Sequence, residues 1–126
     1  MIGEMKKFID GFRYKKDPSG KDTWYIPKKP EGDCEQFALG LLWILSEKKL
    51  DKFWFNLVFG KNKLHYVTTK NGVGHVVLQD GGQYIDNWTR EFVSRREMEK
   101  LGHRFSGGLY RWYHVAIKFL ITELRS

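Results

Sequence analysis

The tripeptide Asp80-Gly81-Gly82 stands between two β-prone runs, VGHVVLQ at 73–79 and QYIDNW at 83–88. Asp-Gly and Gly-Gly steps supply the positive φ angles of a tight turn, so the two runs fold back on each other as antiparallel strands. A turn of known length also sets the register, and with it which side chains share a face. With Gly81 and Gly82 as the turn, Asp80 pairs with Gln83 and His75 comes opposite Trp88. Asp86 then lies on the same face as His75, a diagonal neighbour within side-chain reach. A three-residue loop would instead set Asn87 opposite His75. In either register a carboxylate or an amide can orient an imidazole.

The rest of the chain frames this hairpin. Pro30 and Gly32 stop regular structure just before Asp33, and Phe37, Ala38, Leu41, Leu42 and Leu45 follow at helical spacing. This predicts a helix over about 34–48, with Asp33 as its N-cap and Lys48-Lys49 at its C-terminal dipole. Residues 14–33 hold all three prolines and read as an irregular lead-in. The aromatic run FWFNLVF (53–59) and KLHYVTT (63–69) read as strands. Residues 89–101 read as a polar helix capped by Thr89. Residues 109–121, LYRWYHVAIKFLI, read as a strand because aromatic and β-branched residues cluster there. A helix followed by an antiparallel sheet gives the class α+β.

A chain of 126 residues and 15.0 kDa predicts one domain over 1–126. Hydrophobic residues make up 41% and charged residues 29%, which excludes a disordered or collagen-like chain. The longest apolar-and-Gly run, Phe37 to Leu45, is too short to cross a bilayer. The N-terminus, MIGEMKKFIDGF, lacks the apolar stretch of a signal peptide, which predicts a cytoplasmic protein unless a signal has been removed. Twenty-two Lys and Arg against fifteen Asp and Glu leave a net charge of +7. That permits a nucleic-acid partner without pointing to one, since no block of five like charges occurs. A single cysteine, Cys34, rules out an intramolecular disulfide and a Cys-rich zinc site, and it suits a reducing compartment.

The predicted helix start places Cys34 where chemistry would want it. Backbone N–H groups and the positive end of the dipole stabilise a thiolate and can donate to an oxyanion. Cys34 is thus a candidate nucleophile whose thiol is expected to titrate below a free cysteine's. The backbone N–H of Cys34 and the indole N–H of Trp24 are candidate oxyanion donors. His65, His103 and His114 show no ligand spacing and read as surface or packed residues. Tyr110, Trp112 and Tyr113 read as sheet-packing aromatics.

Taken together, these motifs resemble the bacterial transglutaminase-like cysteine proteinases. The resemblance rests on Tyr14-x-x-Asp17, Gly20-Lys21-Asp22-x-Trp24, Pro27, Gly32-Asp33-Cys34-Glu35, Ala38, Gly74-His75, Ile85-Asp86-Asn87-Trp88 and Tyr110-Arg111-Trp112. It runs from about residue 8 to residue 115. It implies a papain-like, transglutaminase-like fold, with Cys34 as nucleophile on a helix, and His75 as base and Asp86 as orienter on a sheet. The implied activity is a cysteine peptidase working through a thioester acyl-enzyme on a protein or peptide substrate.

Two alternatives stand beside it: a transglutaminase-type acyl transferase, and a basic, non-catalytic binding module for nucleic acid or protein on the same fold. Family members usually read Gly-Asp-Cys-Glu-Asp, and here Gln36 replaces the second acid. In secreted members the acids flanking the cysteine help bind calcium, and Asp33 and Glu35 match those positions. Both acids also serve as helix cap and first-turn acid without an ion, so no cofactor is expected. A small, Lys-rich member of this kind suits a bacterium or a bacteriophage, in the cytoplasm or carried in a virion.

Overall fold

The computed structural model describes residues 2–16, 23–105 and 108–125. Asp17, Gly20, Lys21 and Asp22 of the motif above lie outside the described residues. The elements run α1 (Ile2–Gly11), β1 (Arg13–Tyr14), β2 (Glu31–Gly32), α2 (Cys34–Leu45), α3 (Leu50–Val58), β3 (Asn62–Thr68), β4 (Gly74–Asp80), β5 (Gln83–Ile85), α4 (Arg95–Lys100), β6 (Leu109–Tyr110) and α5 (Trp112–Arg125).

Helix α2 is buried over most of its length, with apolar residues on every face after its first turn, and it is the centre of the molecule. Phe37, Leu39, Leu41 and Leu42 are fully buried. Phe8 of α1 and Phe12 just after it lie against Phe37, with ring centroids 6.0 and 5.0 Å away. The sheet, in the order β5-β4-β3-β6, is antiparallel throughout. Val76, Leu78 and Ile85 join α2 in the main core, whereas Val77 and Tyr84 pack with Met98 of α4 in a second cluster. The pleat thus sends alternate residues of β4 to two different cores.

The β4–β5 hairpin has the register a two-residue turn dictates: Leu78 pairs with Ile85, Gln79 with Tyr84 and Asp80 with Gln83. Gly81 carries the positive φ, +61°. The three-residue alternative, with Asn87 opposite His75, is not formed.

Three expected elements differ. Residues 53–59 are not a strand; 53–58 belong to α3 and Phe59 is its C-cap. An alternating pattern would bury Phe53, Phe55, Leu57 and Phe59 together. Instead Phe53, Asn56 and Leu57 are buried at helical spacing, while Phe55 and Phe59 are 57% and 72% exposed. Burial at period 3.6 overrides the β-propensity of single aromatics.

Residues 109–121 are likewise helical after a two-residue strand. Val115 is buried, and Phe119, one turn on, packs against Phe53 and Trp54 of α3. Trp112 and Tyr113 are therefore half-exposed helical residues, whereas Tyr110 pairs with Leu64 in the sheet. The polar helix is also shorter than expected, and Ser94 caps it by accepting from the Glu97 N–H. Thr89 belongs instead to the turn after β5, and Arg90 at φ +55° precludes a helix there.

Candidate active site

Cys34 is the first residue of α2, and a compact clamp fixes its backbone. The Asp33 carboxylate accepts from the Cys34 N–H at 2.7 Å. Gln36 Oε1 accepts from the Asp33 N–H at 2.9 Å, and its Nε2 donates to the carbonyl of Thr23. Gln36 is fully buried, so its amide ties the 23–24 segment to the helix start. Gly32 makes the close approach feasible: its φ is +142°, and a Cβ there would lie 2.5 Å from Gln36 Cβ. The residue that departs from the motif is thus a structural strut.

The sulfur sits in an acidic, desolvated setting. Cys34 is buried, and its Sγ donates to Glu35 Oε2 at 3.4 Å. Burial pushes the thiol well up from its ordinary value; the charges of Glu35 and then Asp33 push it further. The backbone of Val76 on β4 hydrogen-bonds the sulfur and pulls the other way, but less strongly. The sequence-based expectation of a low-pKa thiol is therefore reversed. Proximity to a helix dipole counts for less than loss of water beside two carboxylates.

His75 is the second residue of β4 and is buried. Its Nε2 lies 2.8 Å from Asp86 Oδ2, the diagonal relation that the hairpin register predicts. Trp88 stacks on the imidazole, with centroids 4.5 Å apart and planes at 28°. Asp86 follows β5 immediately, and its Oδ1 accepts the backbone N–H groups of Trp88 at 3.1 Å and Thr89 at 2.8 Å. That tight turn explains why the strand ends at Ile85. Burial alone would raise the Asp86 carboxyl. Hydrogen bonds from His103 and His75 outweigh it and hold the group well below the usual carboxylate range.

The sequence reads His103 as a surface or satisfied packed residue, and the structure buries it against the carboxylate of Asp86. Its Nε2 lies 2.7 Å from the same Oδ2 of Asp86, and its side chain is fully buried. No spacing in the chain announces it, because it returns from the loop after α4. The other two histidines lie elsewhere: His65 bonds Gln79 and His114 accepts from the Arg111 N–H.

Cys34 and His75 open onto one cleft of about 410 Å³, shared with Tyr14, Asn87, Trp88 and Arg90. Arg90 anchors the wall of this cleft to α1, donating to the carbonyls of Ile9 and Phe12 at 3.1 and 2.8 Å. The two candidate oxyanion donors fare less well. The Cys34 N–H is already spent on Asp33. The Trp24 indole N–H is buried without a partner among the described residues, but it does not line the cleft. Its ring packs on Tyr110, with centroids 4.8 Å apart. Asn87, by contrast, does line it, with its Oδ1 buried and without a partner among the described residues.

Asp33, Cys34 and Glu35 bring one ligand atom each within 4.8 Å of one another, at the position where the resemblance places calcium. This donor set suits that ion poorly. Calcium takes six to eight oxygens. Here one Asp33 oxygen caps the helix, one Glu35 oxygen receives the thiol, and the Gln36 amide is committed on both sides. The third atom is a soft sulfur.

Neither a family model nor a curated protein matches the chain. Solved structures do. LapG of Legionella pneumophila aligns at TM-score 0.57 and 18% identity, over 79% of this chain and 58% of that one. EGTA-treated LapG aligns at TM-score 0.57 and 19% identity, over 84% of this chain and 62% of that one. Calcium-bound LapG aligns at TM-score 0.57 and 17% identity, over 97% of this chain and 76% of that one. This chain therefore spans less than two thirds of the first two LapG chains it matches. At these identities the likeness carries the fold: helices and an antiparallel sheet in the transglutaminase-like arrangement.

Proposed function

We propose that this chain is a cysteine peptidase of the transglutaminase-like type, with Cys34 as nucleophile, His75 as general base and acid, and Asp86 as its orienter. The observation that carries the reading is the 2.8 Å contact between His75 Nε2 and Asp86 in a cleft that Cys34 shares. With Nε2–H given to the carboxylate, the lone pair of neutral His75 resides on Nδ1.

The cleavage then follows from the groups present. Because the thiol is held neutral at rest, His75 Nδ1 removes the Sγ proton as sulfur attacks the carbonyl carbon of a peptide bond. Asp86 stabilises the imidazolium that results. The tetrahedral oxyanion collapses, and the imidazolium passes its proton to the departing amine, leaving a thioester on Cys34. Water, deprotonated by His75, attacks the thioester; collapse releases the acid and returns the proton to sulfur. The Asn87 side chain lines the same cleft and is available to hydrogen-bond the substrate amide.

We further infer that the enzyme works without calcium, since the acids beside Cys34 are occupied by the helix cap and the thiol. A single unpaired thiol fits action in a reducing compartment such as a cytoplasm. Among the described residues no helix is long and apolar enough to cross a membrane.

The test is a search for new protein N-termini in a cell lysate treated with wild-type or Cys34→Ala protein, with a biotinylated alkylamine added in parallel. New termini with the wild type alone are expected. Amine incorporation without new termini would replace hydrolysis by acyl transfer, and neither signal would remove the enzyme reading.

A further inference from the structure

The Asp86 carboxylate receives four hydrogen bonds. Oδ1 accepts the Trp88 and Thr89 backbone N–H groups, and Oδ2 lies 2.8 Å from His75 Nε2 and 2.7 Å from His103 Nε2. A carboxylate offers about four lone-pair sites. All are used.

His103 meets this arrangement at a cost. Its Nδ1 is buried with no hydrogen-bond partner among the described residues, and a buried polar atom left so is unfavourable. Its ring edge meets His75 and Trp88, with centroids 5.4 and 5.5 Å away. Among the described residues, the one hydrogen bond that ring makes is with the carboxylate that also holds His75. An apolar side chain of similar size would fill the same space without an orphaned nitrogen, so packing alone does not explain a histidine here.

We infer that His103 is a positioning residue acting through Asp86: by taking the last acceptor site of the carboxylate, it lets Asp86 orient His75 without taking up the proton of His75. The inference rests on the proposed roles of His75 and Asp86 for its catalytic meaning, but the charge placement stands by itself. Protonating Asp86 would require one of four donors to be displaced. A carboxylate with a free lone pair on Oδ2 would be a stronger base toward the imidazole. The depressed carboxyl, with His103 as the largest lowering cause, agrees with this geometry.

The groups that face Asp86 are few. His75 comes from β4, His103 from the loop after α4, and the Thr89 hydroxyl and two amides from its own turn. The neighbouring Arg90 guanidinium is spent on the carbonyls of Ile9, Phe12 and Asn87. Cys34 and Asp33 line the same cleft as His75.

The experiment is NMR on the intact protein. In the wild type, imidazole ¹⁵N spectra should show His103 carrying its proton on Nε2; a proton on Nδ1 alone would overturn the inference without any variant. The Asp86 side-chain ¹³C titration is then compared in His103→Phe, which fills the space without a donor, and in His103→Gln, which returns an N–H near the Nε2 position. His103→Phe should raise the Asp86 midpoint by about one unit, the worth of one charge-assisted hydrogen bond, and His103→Gln should restore it. A midpoint indifferent to the loss of the donor, in folded His103→Phe protein, would overturn the inference. If Asp86 responds as stated but no Cys34-dependent cleavage exists, the peptidase reading fails and the role of His103 in holding the carboxylate stands. Cleavage with an unresponsive Asp86 gives the converse.

Discussion

The indole of Trp88 lies over the imidazole of His75, ring centroids 4.5 Å apart and planes 28° from parallel, although Trp88 is itself 56% exposed. The stack fixes the plane of the imidazole from the solvent side, while Asp86 fixes its edge from the interior. A half-exposed tryptophan contributes little to the core, so its value is in orientation. Trp88→Ala should lower peptide cleavage by up to about tenfold, since an aromatic pair is worth roughly 0.5–1.5 kcal/mol. Its melting temperature should stay near that of the wild type. Trp88→Phe should recover most of the rate. A steep drop in melting temperature with unchanged cleavage would show the indole to be structural.

Cys34 should behave as a reluctant thiol in the resting protein. Burial first, then Glu35 and Asp33, disfavour the thiolate, so iodoacetamide labelling should be slow near pH 7 and climb only at strongly alkaline pH. Glu35→Gln removes the nearer charge while keeping the shape. It should bring the labelling midpoint down and speed reaction at neutral pH by about tenfold or more. His75→Ala is the companion variant: it should abolish cleavage while leaving the labelling midpoint high. A wild-type midpoint below that of a free cysteine would contradict the closed, acidic setting described above.

The carboxyl of Asp86 is held below its unfolded value of about 3.9. A depressed carboxyl contributes stability that is fully present above the unfolded value and is lost as pH falls toward the folded one. Acid denaturation should therefore begin below about pH 4. Asp86→Asn should flatten that loss and cost about 3 kcal/mol at neutral pH, because two buried imidazole N–H groups lose a charged acceptor. In cleavage, Asp86→Asn should be far more damaging than Asn87→Ala, since only Asp86 holds the imidazole edge. The opposite ranking in paired assays of the two variants would move the orienting role to Asn87.

Calcium should leave this protein unmoved. Asp33 and Glu35 already spend oxygens on the helix cap and the thiol, and the neighbouring Gln36 amide bridges Asp33 and Thr23. Calorimetric titration of chelator-treated protein should give no heat at micromolar calcium, and melts with and without chelator should coincide. A melting temperature several degrees lower in chelator would restore the metal site.

Local chemistry determined a defined part of this molecule. Pro30, Gly32 and Asp33 place a helix start before Cys34, and Gly81-Gly82 sets a register that puts His75 and Asp86 on one face; both follow from backbone geometry within a few residues. The runs 53–59 and 109–121 were not legible in that way. Aromatic and β-branched residues fit either element, and only the docking of Phe53 against Phe119 selects the helical period. His103 lies seventeen residues from Asp86 along the chain, with no spacing to reveal that the loop after α4 brings its ring back to Oδ2. The sign of the thiol's shift was likewise beyond local reading. A helix start favours a thiolate, but desolvation and the direction in which Glu35 points depend on what packs around α2, and in a buried site those terms exceed the dipole.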